Sequence, residues 1–163
     1  MSSIKKILFN RVISRAEVAV EFLTQCLNKI HTGGTDPAFS RSIYILHSYN
    51  FELILKSRLI LLSKKKTIKD IDNELKGHDL ESLSKNKNLK DVGILKIKKY
   101  KTGFKRYSIE TVYGKFKIQD FTDVRYDYHK SSLRKTDEYE SKRIKAEIEM
   151  MKKIINRIKT LSS

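Results

Sequence analysis

Residues 120–129 (DFTDVRYDYH) hold the side chains of this sequence that are best suited to chemistry. In a helix, Arg125 and His129 are four residues apart and lie on one face. A guanidinium can neutralise a non-bridging phosphate oxygen, and an imidazole can move a proton near neutral pH. RNA carries its own nucleophile, the ribose 2′-hydroxyl, so this pair needs no metal ion to cleave RNA. The candidate catalytic residues are therefore Arg125 and His129.

A purely structural role for the same segment is an open alternative. Arg125 can pair with a neighbouring aspartate, Asp123 or Asp127, and His129 can cap a turn. Asp120 and Asp123 have the N-cap and N3 spacing of a helix start, so we expect a short helix over residues 120–129.

Further polar residues stand where they can orient such a pair. Glu52 and Lys56 are four residues apart, in the favoured order, inside an otherwise apolar helix. Because a buried charge is costly unless paired, they either pair only with each other or reach the candidate catalytic pair. His78, next to Asp79, either belongs to a helix cap or faces the same polar cavity. The predicted supporting shell comprises Glu52, Lys56, His78, Tyr126 and Asp127.

Positive charge dominates the composition. The 163 residues contain 35 Lys and Arg against 19 Asp and Glu, a net charge of +16. Residues 84–118 alone hold 11 basic and 2 acidic residues. Clustered positive charge attracts nucleic acid. A uniformly solvated lysine surface and an anionic membrane surface are the alternatives, and the clustering favours nucleic acid.

The helical periodicity is lost over residues 92–118, where basic and aromatic residues mix. Residues 101–103 (KTG) look like a hairpin loop, so we expect a small basic β-hairpin inserted into a helical fold. The predicted RNA-binding cations are Lys96, Lys98, Lys99, Lys105 and Arg106. The aromatic rings either stack on unpaired bases or fill a minor core beneath the hairpin; they are Tyr100, Phe104, Tyr107 and Tyr113.

Long helices make up most of the remaining chain. Apolar residues recur at three- and four-residue steps over residues 4–30. A second helix starts with Asp36 as N-cap and Pro37 in the first turn, runs to about Leu62 and is apolar on most sides, so it should be the central element. Gly77 to Leu80 open a short third helix. A terminal helix begins near residue 136 and carries an apolar stripe at Ile144, Ile148, Met151, Ile155 and Ile158.

Several classes of protein are excluded by what the sequence lacks. It has no Gly-rich phosphate loop, and its four His and one Cys show no metal-ligand spacing, so we expect neither a cofactor nor a metal. Cys26 has no partner for an internal disulfide, which favours a cytoplasmic location. No apolar run approaches the length needed to span a bilayer, so no membrane association is expected. Without a linker, residues 1–163 are expected to form a single domain.

Three segments, in order, resemble the HEPN superfamily of small helical domains found in prokaryotic toxins and phage-defence proteins. Pro37 opens a helix that continues as residues 49–57 (YNFELILKS), similar to a "YElalKs" helix of that family. Residues 77–83 (GHDLESL) are similar to its "HdLexL" segment. Residues 124–126 (VRY) precede the long terminal helix. The resemblance covers most of the chain outside residues 92–118.

The resemblance implies a mainly α, four- to five-helix up-down bundle, with the basic hairpin as an insertion, that forms a homodimer. In active members an Arg and a His of an R-x4-6-H motif converge across the dimer axis and cleave RNA without a metal. Carried over, these are Arg125 and His129. The spacing here is R-x3-H, one residue shorter, and Tyr126 replaces the polar residue that follows the Arg.

Three functions are compatible with these features. The first is a metal-independent endoribonuclease of the toxin or phage-defence type, acting as a homodimer with a cognate antitoxin protein as a further partner. The second is a non-catalytic HEPN module that binds RNA or a partner protein. The third is an interaction subunit whose terminal-helix stripe forms a dimer.

Overall fold

The computed structural model describes residues 3–29, 37–100, 106–120 and 138–162. Within these ranges the fold is mainly α-helical, with a small antiparallel sheet between the fourth and fifth helices. The helices are α1 (Ser3–Lys29), α2 (Pro37–Leu62), α3 (Ile68–Glu74), α4 (Leu80–Ser84) and α5 (Glu138–Ser162), with a 3-10 turn at Lys90–Val92. The strands are β1 (Ile94–Tyr100), β2 (Arg106–Thr111) and β3 (Gly114–Gln119).

The three long helices α1, α2 and α5 pack against one another and form the framework of the molecule. The bounds expected for the first two helices are confirmed to within one residue at each described end. Helix α2 is buried on most sides, with Ile43, Phe51, Ile54 and Leu55 fully enclosed. The prediction of a central second helix is thus also confirmed, because an element that is apolar all round requires neighbours all round.

The apolar stripe of α5 lies inside the chain's own core. Its five residues, from Ile144 to Ile158, are at most 3% exposed. They pack in the core that α1 and α2 also line. The hypothesis that this stripe forms a dimer interface is therefore wrong, since the side chains are already covered.

Two short helices connect α2 to the sheet. Helix α4 begins as predicted, with the Asp79 carboxylate accepting a hydrogen bond from Ser82 N–H at 3.0 Å. Helix α3 was not predicted. Its N-cap is Thr67, whose hydroxyl oxygen accepts from Asp70 N–H at 3.1 Å, and its single buried residue, Ile71, gives too weak a periodicity to mark a helix.

The inserted segment has three strands in the order β1-β2-β3, all antiparallel, where the sequence predicted a two-stranded hairpin. The predicted loop at 101–103 lies outside the described residues. The second turn passes through Val112 and Tyr113, which is not a typical turn pair. Thr111 stabilises it, because its hydroxyl accepts from Tyr113 N–H at 3.1 Å and donates to the Gly114 carbonyl at 2.8 Å.

The inner face of the sheet joins the helical core. Ile97, Tyr107, Ile109, Phe116 and Ile118 are at most 9% exposed and belong to the same apolar cluster as the helices. The rings of Phe51 on α2 and Phe116 on β3 meet edge to face, with centroids 5.4 Å apart. The insertion is therefore part of the main core.

Of the helices in the described ranges, none combines the length and the apolar character that crossing a bilayer requires.

Candidate nucleic-acid interface and its polar clusters

Glu52, Lys56 and His78 form one ion-paired cluster. Lys56 Nζ lies 2.8 Å from Glu52 Oε1, and His78 Nδ1 lies 2.9 Å from Oε2 and 3.0 Å from Oε1. Helix α2 presents Glu52 and Lys56 one turn apart, and the loop that leads into α4 brings His78 to the same carboxylate. The alternative in which Glu52 and Lys56 pair only with each other is wrong, because His78 joins them.

This cluster determines the orientation of the His78 ring. The Glu52 carboxylate is 3% exposed and can only accept hydrogen bonds when ionised, so Nδ1 carries the proton that it donates to Glu52. The His78 side chain is 44% exposed. Glu52 therefore orients the His78 ring, and Lys56 balances the charge of the carboxylate.

A second cluster surrounds Lys99, whose ammonium lies between two carboxylates. Nζ is 2.9 Å from Asp79 Oδ2 and 2.8 Å from Asp120 Oδ2. The Tyr107 hydroxyl donates to the same Asp120 oxygen at 3.0 Å. The Asp120 side chain is 3% exposed and that of Lys99 is 14% exposed. Four elements meet here: the cap of α4, β1, β2 and the residue that follows β3.

The pKa values in this cluster reflect competition between burial and charge. Burial alone lowers the pKa of Lys99, but the Asp120 and Asp79 carboxylates outweigh it and raise that pKa above its usual value. Burial raises the pKa of Tyr107 above its usual value. For Asp79, burial acts upward, but the hydrogen bonds from Lys99 and Ser82 hold its pKa below the ordinary value. The Lys99 cation is thus a permanent internal charge.

The position of Lys99 corrects one predicted RNA contact. Lys99 points inward with Ile97, because side chains two residues apart on a strand share a face, and its charge is already neutralised by Asp79 and Asp120. It is therefore not available to a phosphate. Asp120 is a buried partner of Lys99, and the helix start that it was predicted to cap lies outside the described residues. The sequence signal for such a carboxylate was Lys99 itself, because a lysine at an inward strand position requires a partner of opposite charge.

A third polar cluster lies between α2 and α5 and was not found from the sequence. Glu147, 4% exposed, lies 3.1 Å from His47 Nε2 and 2.6 Å from Arg143 Nη1. Burial acts to raise the pKa of Glu147, but His47 and Arg143 together lower it below its ordinary value. Arg143 also binds Glu140 at 2.6 Å and the Lys117 carbonyl at 3.2 Å. The cluster therefore attaches α5 to β3.

The outer face of the sheet is rich in basic residues. We call it the basic sheet face and define it by five cations and one ring: Lys96, Lys98, Tyr100, Arg106, Lys115 and Lys117. The strand register places Lys98, Ser108 and Lys117 in one row across the sheet. The next row holds Tyr100, Arg106 and Gln119, and the row on the other side holds Lys96, Glu110 and Lys115.

Most of the positive charge on this face is not neutralised. Glu110 is its one acidic residue and pairs with Lys115 at 3.1 Å. In the part of the chain that the structure describes, no carboxylate pairs with Lys96, Lys98, Arg106 or Lys117. The Tyr100 ring is 44% exposed, and Lys98 Nζ lies 5.5 Å from its centroid. The face thus offers phosphate-binding cations beside an exposed aromatic ring.

The structure assembles part of the predicted site. Lys96, Lys98 and Arg106 come together on the basic sheet face, while Lys115 and Lys117 were missed because a third strand was not expected. Tyr107 is buried, as one alternative held, and Tyr100 is exposed. The predicted residues Lys105, Arg125, Tyr126, Asp127 and His129, together with Phe104, lie outside the described residues.

Among the described residues, no group of three or more His, Cys, Asp and Glu side chains is gathered closely enough to hold a metal ion.

Comparisons with known proteins found no relative. No protein-family model matches the chain, and the searches of curated proteins and of solved structures found no match.

Replacing Lys99 by Met should destabilise the protein by about 3 kcal/mol, because Asp79 and Asp120 are left close together without a cation. Lys98→Met removes the same charge from the exposed side of the same strand and should change stability by less than about 0.5 kcal/mol. Urea unfolding at neutral pH measures both. Adding Asp120→Asn to Lys99→Met should restore part of the loss. Equal effects of the two lysine variants would contradict the internal role of Lys99.

Proposed function

We propose that the protein acts on RNA, binding an unpaired strand across the basic sheet face. The observation that carries this proposal is the row pattern of that face: cations on all three strands, four of them without a carboxylate partner among the described residues, beside the exposed Tyr100 ring. Lys98 and Lys117 lie in one row two strands apart, about 10 Å at the backbone, and Lys96 and Lys98 lie two residues apart on one strand, about 7 Å. These separations suit phosphates along one strand.

An unpaired RNA strand fits this surface better than a duplex does. Sequence reading in a DNA major groove uses a helix or a two-stranded ribbon that enters the groove, whereas this face is one side of a three-stranded sheet whose other side is core. Unpaired bases can be splayed out and stacked on aromatic rings, and Tyr100 offers such a ring. The charge contributes affinity, and the ring favours bases that are accessible.

The binding test compares two pairs of lysines. Lys98→Met with Lys117→Met removes two cations from the basic sheet face, and Lys6→Met with Lys69→Met removes two exposed cations from α1 and α3. The sheet variant should bind a fluorescent oligoribonucleotide roughly tenfold more weakly or worse, and its slope of log Kd against log salt should fall by about 1.4. The control pair should leave both quantities close to those of the original protein. Equal losses in the two variants, or a flat salt dependence, would overturn the proposal.

We further propose that the protein is a homodimer, paired through the outer face of α1. Ile7, Val18 and Phe22 are 64%, 69% and 52% exposed, and at 100° per residue they share one side of that helix. In an antiparallel pairing about a two-fold axis, Arg11 in the first half of α1 approaches Glu21 in the second half of the partner's helix. The apolar residues are then covered and the charges are matched.

Phe22→Asp should shift the protein from dimer to monomer, because a carboxylate would be buried at the contact. Light scattering at micromolar concentration gives the molar mass. Leu161→Asp is the matched control, since Leu161 is 48% exposed at the end of α5 and should leave the dimer intact. A monomeric parent protein, or a Phe22→Asp variant that remains dimeric, would rule out this interface.

The catalytic part of the proposal is a HEPN-like, metal-independent endoribonuclease of the toxin or phage-defence type. Arg125 would neutralise the phosphate, and His129 would transfer a proton to or from the ribose and leaving-group oxygens. Glu52, Lys56 and His78 support this assignment, because the helix and loop motifs that suggested the family supply the two sides of their ion-paired cluster. A non-catalytic HEPN module that binds RNA is the second candidate, favoured by the basic sheet face alone.

Labelled RNA incubated with the protein in EDTA separates these two candidates. Cleavage should persist in EDTA and fall by about 100-fold or more in Arg125→Ala and in His129→Ala. Circular dichroism and oligonucleotide binding serve as folding controls, and Lys6→Met should cleave normally. Cleavage by either variant at the rate of the original protein would exclude the catalytic assignment. An RNA-binding protein that never cleaves would establish the non-catalytic candidate.

A further inference from the structure

A basic pocket of about 540 Å³ lies between α4 and the start of β1, at one edge of the basic sheet face. The loop between α4 and the 3-10 turn forms one wall and the first half of β1 forms the other. We call it the α4–β1 pocket. Lys96 lines it and also belongs to the basic sheet face, so the two surfaces are continuous.

The floor of this pocket is apolar. Leu89, Ile94 and Ile97 are 5%, 2% and 9% exposed, and they line it from the side of the core. A register irregularity between Ile94 and Lys96 breaks the alternation of β1, and Leu95 and Lys96 consequently both face outward. Leu95 is therefore 49% exposed at the rim, an unusual position for a large apolar side chain beside so many lysines.

The walls are cationic. Lys85, Lys90 and Lys96 line the pocket, and none of them has a carboxylate partner in the described part of the chain. Lys87 also lines it but is paired with Glu74 at 2.7 Å. Glu81 is the one acidic residue in the lining. Positive charge thus remains in excess after every pairing within the lining is counted.

The loop that carries these lysines is fixed by its own hydrogen bonds. Lys87 N–H donates to the Ser84 carbonyl at 3.1 Å, and Lys90 N–H donates to Asn88 Oδ1 at 3.3 Å. Asn86 has φ of 59°, in the left-handed region that Asn adopts more readily than most residues. A loop held in this way presents its cations with little ordering cost when an anion binds.

We propose that the α4–β1 pocket binds one nucleotide unit of the RNA strand that crosses the basic sheet face. The base packs against Leu95 and the apolar floor, and its phosphate is bound by Lys85 and Lys90. A planar, partly apolar group attached to an anion matches an apolar floor bordered by lysines, whereas inorganic phosphate would leave the floor exposed. This inference deepens the proposed RNA-binding function, because Lys96 joins the pocket to the face that binds the rest of the strand.

The test uses the full chain with three probes: UMP, inorganic phosphate and an eight-residue oligouridylate, each titrated by calorimetry. UMP should bind at least about tenfold more tightly than phosphate, because only UMP uses the floor. The double variant Lys85→Met with Lys90→Met should bind UMP and the oligonucleotide at least about tenfold more weakly. Leu95→Ser should bind UMP several-fold more weakly and should bind phosphate with unchanged affinity. Lys6→Met with Lys69→Met is the charge-matched control and should change nothing.

The same variants separate this inference from the RNA-binding proposal. If Lys98→Met with Lys117→Met weakens the oligonucleotide while UMP binds unchanged, the pocket is a distinct nucleotide site. Oligonucleotide binding that depends on the sheet lysines but not on Lys85, Lys90 or Leu95 would overturn the pocket and leave the RNA-binding function standing. If the protein binds UMP tightly but does not bind the oligonucleotide, the pocket is a site for free nucleotides and the RNA-binding function is rejected. If UMP binds no more tightly than phosphate, the proposal that the pocket binds a nucleotide is wrong.

Discussion

The Lys99 ammonium, enclosed by two carboxylates, is the interaction that places the rest of the site. Its ion pair with Asp79 joins the cap of α4 to β1, and its ion pair with Asp120 joins β1 to the end of β3. The hydrogen bond from the Tyr107 hydroxyl to Asp120 adds β2 to the same cluster. The buried Asp120 carboxylate, with the partly exposed Asp79 carboxylate close to it, requires a cation, so a shift of the sheet relative to α4 would leave a charge uncompensated. The edge that holds the α4–β1 pocket is fixed by the same contact.

Alternation along β1 then divides the lysines into two kinds. Lys99 faces inward and is neutralised, whereas Lys96 and Lys98 face outward and are exposed. The same separation holds on β2 and β3, where Tyr107 and Phe116 enter the core while Arg106 and Lys117 face solvent. Five cations are thus gathered on one surface, because the sheet holds them at regular separations on a rigid support.

The ion-paired cluster at Glu52 connects two of the motifs on which the family resemblance depends. The two motifs concerned, residues 49–57 and 77–83, are separated in sequence, yet Glu52 of the first binds His78 of the second. A buried carboxylate requires a partner, and His78 precedes Asp79, which caps α4. Membership of the HEPN superfamily remains a proposal that these contacts support, and the catalytic pair Arg125 and His129 is proposed from the sequence.

The sequence alone determined the elements whose signals are local. Periodicity marked α1, α2 and the buried stripe of α5, and Asp79 marked the start of α4, because burial of one helix face and satisfaction of a helix end involve residues only a few positions apart. Tertiary structure decided the rest: the third strand, the partners of Lys99, the cluster at Glu147, and the pocket to which Lys96 and Leu95 contribute. Each of these depends on which distant residue faces which. A pattern within one element records only that a side chain needs a neighbour, and packing of the whole chain selects that neighbour.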